Sequence, residues 1–228
     1  MMEWIEKYQC LLFDFDGLLV NTEELHYRAY QRMVEGRGFT LPWTFPRYCL
    51  AAHYSSTGLR DQVYKEFPEL QSQEPDWTVL YAEKKAAYRA LLEEGAVELM
   101  PGVAPLLEAL KNSSVTRCVV THSPEDVVGM IRGHLPYLEV IDNWMTRNDY
   151  SEPKPSPECY QKAIERHCKE GRVVGFEDSV RGMRALQGSR AEAVMICTSE
   201  CTAMDTVEKE GLCHYESFTD IPANGPTP

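Results

Sequence analysis

DFDGLLVNT, residues 14–22, follows the apolar run CLLF at residues 10–13, and this junction decides how the whole chain reads. A short apolar run that stops abruptly at acidic residues reads as a buried parallel strand reaching its carboxyl end. Asp14 and Asp16 stand two residues apart, so in extended backbone their side chains leave on the same side. Gly17 then lets the chain turn. Two carboxylates crowded at the end of a buried strand repel each other and lose hydration, a cost that a cation or a proton must offset. For an isolated pair, a plain strand ending would be the better reading, and the rest of the chain has to decide.

Working outward, apolar runs at residues 118–120, 173–176 and 193–196 read as further buried parallel strands, with residues 139–146 as a weaker one. Between them apolar residues recur at helical spacing: Val103, Leu106, Leu107 and Leu110; Tyr160, Ala163 and Ile164; Val180, Met183 and Leu186. Ser156 with Pro157 reads as a helix start, and Gly188 as a stop. Alternating strand and helix predicts an α/β fold, a doubly wound parallel sheet. Residues 22–94 have a different rhythm, helix after helix, and predict an inserted helical domain; residues 1–21 and 95–228 make the α/β core. Its first helix carries Leu25, Ala29 and Met33, capped by Asn21 or Thr22; its last starts near Asp76, with Trp77, Leu80, Tyr81, Tyr88 and Leu91 as an apolar stripe. Residues 222–228 are expected to fray.

Other predicted strand ends carry polar groups where open α/β sheets place their sites: Thr121 and Ser123, Lys154 ahead of a helix, and the second acidic pair Glu177 and Asp178. Hydroxyl donors, a cation and two acidic pairs are what a phosphoryl group and a hard divalent metal need.

Bulk properties narrow the partners. A formal net charge of −12 disfavours nucleic acid and anionic membranes, both of which bind through positive potential, so a small ligand is expected. No stretch approaches the roughly 20 apolar residues of a spanning helix. Residues 1–8, MMEWIEKY, have no apolar run before a cleavage site, so the chain is read without a leader and a cytoplasmic location and a monomer are expected. The eight scattered cysteines form no CxxC pair and are read as free thiols; Cys197, Cys201 and His214 lack the fourth ligand and spacing of a metal site.

Taken together, DFDGLLVNT, VVTHS, Lys154 in EPKPSPECY, and GFEDS resemble, in order, the four motifs of the haloacid dehalogenase superfamily. The insertion is similar to the helical cap of the subgroup containing beta-phosphoglucomutase and sugar-phosphate phosphatases. The resemblance implies that Asp14 attacks phosphorus to give an aspartyl-phosphate, with Asp16 as general acid and then base. It further implies that Thr121 and Ser123 bind the phosphoryl group, that Lys154 neutralises it, and that Mg²⁺ is held by Asp14, Asp16 through its carbonyl, and Asp178, with Glu177 assisting. An aspartate at the second position separates phosphoester chemistry from dehalogenation. The implied function is a Mg²⁺-dependent phosphatase acting on a small phosphorylated metabolite, with a phosphosugar mutase and a non-enzymatic interaction module as alternatives. In the insertion, Lys84 falls in the apolar stripe, where its ammonium either snorkels to the edge or aims into the cleft. Relatives with a matching lysine, and a histidine matching His26, imply substrate binding by both. His53 and His122 are left without a role.

Overall fold

The protein is described by a computed structural model covering residues 2–54, 58–198, 207 and 209–227. Its sheet is built from β1 (Cys10–Phe13), β2 (Thr116–Val120), β3 (Asn143–Met145), β4 (Val173–Glu177), β5 (Glu192–Ile196) and β6 (His214–Tyr215). The order is β3-β2-β1-β4-β5-β6, every pairing parallel. The α/β class and the doubly wound sheet are therefore as expected, and β1 sits centrally with all four residues buried. The weak strand at residues 139–146 survives only as the three residues of β3, preceded by a 3-10 helix at Pro136–Val140. In this strand order the chain leaves β1 toward β2 on one side and reaches β4 on the other, which opens a crevice at their carboxyl ends.

Helices α1 (Thr22–Gly36), α2 (Phe45–Tyr54), α3 (Gly58–Glu66), α4 (Pro68–Gln73) and α5 (Trp77–Glu93) follow β1; α6 (Val103–Lys111), α7 (Glu125–His134), α8 (Glu158–His167) and α9 (Val180–Gln187) alternate with the later strands. The chain divides into two compact units, residues 1–21 with 98–228, and residues 22–97.

In the sheet unit, Phe13 stacks on Phe176 at 5.5 Å and Phe218 meets the Phe176 ring edge-on at 5.2 Å, filling one face. Leu12, Val120, Tyr160 and Leu186 pack together in a separate cluster. Cys10 and Cys168, also in that cluster, are bonded as a disulfide, which corrects the reading of all eight cysteines as free thiols. The C-terminal segment is likewise not frayed through residue 227: Lys7 donates to the Asn224 carbonyl at 2.9 Å and the Thr227 N–H to Tyr215 Oη at 3.1 Å. Helix α8 begins at Glu158 with Pro157 as its cap, two residues after Ser156.

In the helical unit, α1 buries Leu25, Ala29, Tyr30, Met33 and Val34 and packs along α5. Asp76 caps α5 by accepting from the Thr78 N–H at 2.9 Å. The face α5 buries is Leu80, Lys84, Tyr88, Leu91 and Leu92, whereas Tyr81, expected in the stripe, is 42% exposed. Among the described residues, no helix is long and apolar enough to cross a membrane.

Candidate active site

The parallel register puts Phe13 beside both Val119 and Phe176, so Asp14 emerges between the ends of β2 and β4. The Asp14 N–H donates to the Phe176 carbonyl at 2.9 Å, extending the ladder by one residue before the chain breaks away. Gly17 takes φ 81°, a left-handed conformation that a side chain would strain, and its N–H returns to the Val20 carbonyl at 2.9 Å. That turn folds Asp16 back over the strand end. Its Oδ2 accepts from Thr121 Oγ1 and Ser123 Oγ, each at 2.8 Å.

Lys154 enters from the loop before α8 and is 9% exposed, alongside Asp14 at 7% and Glu177 at 1%. Its Nζ donates to Asp14 Oδ1 at 2.5 Å and to the Val120 carbonyl at 3.1 Å, and forms an ion pair with Glu177 Oε1 at 2.7 Å. Burial alone pushes a lysine down, but Asp14 and Glu177 outweigh it and hold Lys154 well above its ordinary range. Burial pushes the Asp14 carboxyl up to about 8; the ammonium pulls it down, while Glu177 and Asp16 push it up. Lys154 is held charged, because two carboxylates act on it at 2.5 and 2.7 Å.

Asp14, Glu177 and half-buried Asp178 can each bring an oxygen within 4.8 Å of the others. One ammonium cannot neutralise three carboxylates, and Glu177 and Asp16 add to the upward push that burial puts on Asp14. This oxygen-rich set fits a hard divalent cation, which prefers carboxylate ligands and would discharge the crowding.

The structure thus brings Asp14, Asp16, Thr121, Ser123, Lys154, Glu177 and Asp178 together at the carboxyl end of the central strands. Thr121 and Ser123 converge on the same Asp16 oxygen. Lys84 and His26 lie in the helical unit and meet each other, Lys84 Nζ standing 2.7 Å from His26 Nδ1. At 5% exposure, with the rings of Tyr30 and Tyr88 at 5.2 and 5.3 Å, the Lys84 ammonium does not snorkel to the edge. Burial pulls it down to about 8, and burial followed by the Lys84 charge keeps His26 well below its ordinary value. His214 is bonded to the Cys197 carbonyl at 2.9 Å; Cys201 and the His53 side chain lie outside the described residues.

Sequence reasoning missed three participants. Tyr160, assigned to an apolar stripe, donates its hydroxyl to Glu177 Oε1 and lies under Lys154, whose Nζ is 5.0 Å from the ring centroid. Tyr150 donates to the Thr121 carbonyl at 2.9 Å and meets His122 Nδ1 at 3.0 Å, which gives His122 a place beside the hydroxyl loop. Gly182 lies so close to Glu177 that a Cβ there would fall 1.9 Å from Oε2.

Residues 11–196 match the model of the haloacid dehalogenase-like hydrolases. Among characterised proteins the chain is similar to the protein CbbY of Cereibacter sphaeroides, 30% identical over 82% of this chain and 83% of that one. It is also similar to a phosphorylated carbohydrates phosphatase of Thermotoga maritima, 26% identical over 82% and 83%. Among solved structures, CbbY from Rhodobacter sphaeroides in complex with phosphate aligns with a TM-score of 0.63 at 25% identity, covering 85% of this chain and 88% of that one.

Proposed function

Since the chain belongs to the haloacid dehalogenase-like hydrolases, we propose that it is a phosphatase of small phosphorylated carbohydrates, working through a phosphoaspartate at Asp14. The observation that carries this is the placement of Asp14 and Asp16 at one strand end, the first held by a buried ammonium at 2.5 Å and the second by two hydroxyls at 2.8 Å. Lys154 fixes Oδ1 of Asp14 and leaves the other carboxylate oxygen to attack. In the first step an Asp14 oxygen bonds to phosphorus, the ester P–O bond breaks, and Asp16 gives its proton to the leaving alcohol. In the second, Asp16 takes a proton from water, whose oxygen attacks phosphorus and returns Asp14 as carboxylate and phosphate as product. Thr121 and Ser123 hold Asp16 at rest and donate to phosphoryl oxygens when substrate is bound.

Mg²⁺ is the cation assigned to Asp14, Asp178 and the Asp16 carbonyl, with Glu177 beside it; when bound it supplies charge neutralisation for the phosphoryl oxygens. The carbohydrate class is drawn from the relative named as a phosphorylated carbohydrates phosphatase. We assign the helical unit to substrate selection, with Lys84 and His26 as its polar groups. Release to water is favoured over a mutase reaction because the Lys84 ammonium is engaged by His26 and enclosed by tyrosine rings, a poor grip for a second phosphate.

The test is phosphate release from p-nitrophenyl phosphate and a panel of sugar monophosphates, with Mg²⁺ and with chelator, and with and without glucose 1,6-bisphosphate. Mg²⁺-dependent release, independent of the bisphosphate, is expected. Bisphosphate-dependent isomerisation faster than phosphate release would establish a mutase, and inactivity on every substrate would leave an interaction module.

A further inference from the structure

We propose that Tyr160 is a positioning residue for the nucleophile, acting through Glu177 on Lys154; this rests on the assignment of Asp14 and Lys154 above. Tyr160 is fully buried in the first turn of α8, six residues after Lys154, so the loop that delivers the lysine also returns the tyrosine beneath it. Packing alone would be met by phenylalanine, since the ring sits among Leu12, Val120, Ala163 and Leu186. The hydroxyl is a different matter. A buried hydroxyl without a partner is costly, and this one is satisfied by Glu177 Oε1.

That same oxygen forms the ion pair with Lys154 at 2.7 Å. The ion pair supplies charge but little direction, whereas the tyrosine hydroxyl supplies a directional bond that fixes where Oε1 stands. Gly182 lies close against the same carboxylate, where a Cβ would fall 1.9 Å from Oε2 and 2.4 Å from Oε1, so only a glycine leaves Glu177 where it stands. The Tyr160 ring face lies under the ammonium at 5.0 Å, which limits its travel toward the core. Lys154 is therefore held between Glu177 and Asp14 by a group that touches neither substrate nor the reacting atoms. A drift of the ammonium away from Oδ1 releases the nucleophile from its attacking orientation, and small misplacements of this kind are expensive in rate.

Tyr160→Phe keeps the ring and removes the hydroxyl. Loss of a supporting hydrogen bond of this kind lowers kcat by about 10- to 100-fold, with the substrate KM within about twofold. Mg²⁺ affinity, read by calorimetric titration without substrate, weakens by about tenfold, because Glu177 is no longer fixed. Tyr8→Phe, which removes another tyrosine hydroxyl bonded to a glutamate in the same unit, leaves both quantities unchanged. In a Glu177→Gln background the kcat cost of Tyr160→Phe disappears, a coupling that a purely structural role does not produce. A folded Tyr160→Phe protein with parental kcat and Mg²⁺ affinity, or equal costs in both backgrounds, overturns the proposal. Should the phenylalanine variant not fold, a fluorinated tyrosine introduced at residue 160 changes hydroxyl acidity at nearly constant shape, and unchanged kcat there overturns it as well. Full activity of Asp14→Asn would instead overturn the underlying assignment of the nucleophile.

Discussion

Lys154 Nζ stands 2.5 Å from Asp14 Oδ1 with both side chains at or below 10% exposure, so charge and nucleophile are removed from water together. Breaking a buried pair leaves an uncompensated charge and costs about 3–5 kcal/mol. Lys154→Met therefore lowers unfolding stability by about that amount in metal-free buffer. Added Mg²⁺ recovers part of it, while turnover stays lost. Urea unfolding with and without Mg²⁺ measures both, and a methionine variant as stable as the parent without metal would contradict the pairing.

Gly182 gives a prediction in which two effects oppose. Replacing a helical glycine by alanine stabilises an exposed helix by about 1 kcal/mol. Here the new Cβ would lie 1.9 Å from Glu177 Oε2 and must displace the carboxylate or the helix. Overlap of this severity exceeds the propensity gain, so Gly182→Ala lowers Tm and reduces kcat through Glu177. A raised Tm with full activity would show that Glu177 has room to move.

The buried lysine of the helical unit sets a pH dependence. Lys84 has an ordinary value of 10.5 and is pulled down to about 8, first by burial and then by Lys85, against the pull of Glu23. Between those values the unfolded chain binds the proton that the folded chain has lost, so this group makes stability rise with pH from about 8 to about 10.5. At pH 7 the lysine is charged in both states and its burial is a standing cost, on the order of 3 kcal/mol. Lys84→Met thus gives a protein more stable at pH 7, with the advantage shrinking as pH rises through that window. An advantage independent of pH would place the ammonium in water.

Much of the sheet was legible because its central strands β1 and β4 are buried throughout and end abruptly at polar residues. CLLF before Asp14 and VVGF before Glu177 are continuous apolar runs, and the register sets those two carboxylates side by side. β6 was not legible: two residues, His214 and Tyr215, carry no period. Tyr160 and Tyr150 were hidden for another reason, since periodicity counts a tyrosine as apolar and is blind to where its hydroxyl points. Lys84 stayed open between snorkelling and the cleft because periodicity shows only its own helix, whereas His26 and Tyr30, from a different helix, enclose it. The Cys10 to Cys168 bond spans a sequence separation of 158, and spacing alone does not reveal such a partner.

A phosphoaspartate at Asp14 can be trapped and read directly. The parent enzyme, mixed with a reactive phosphomonoester and quenched in acid during turnover, is reduced with borohydride, which converts an acyl phosphate to the corresponding alcohol. Peptide mass spectrometry then locates the altered residue. Homoserine is expected at Asp14 in the parent and none in Asp14→Asn, which is also inactive. Steady phosphate release with Asp14 unmodified at every quench time, or a modification at another residue, would contradict it.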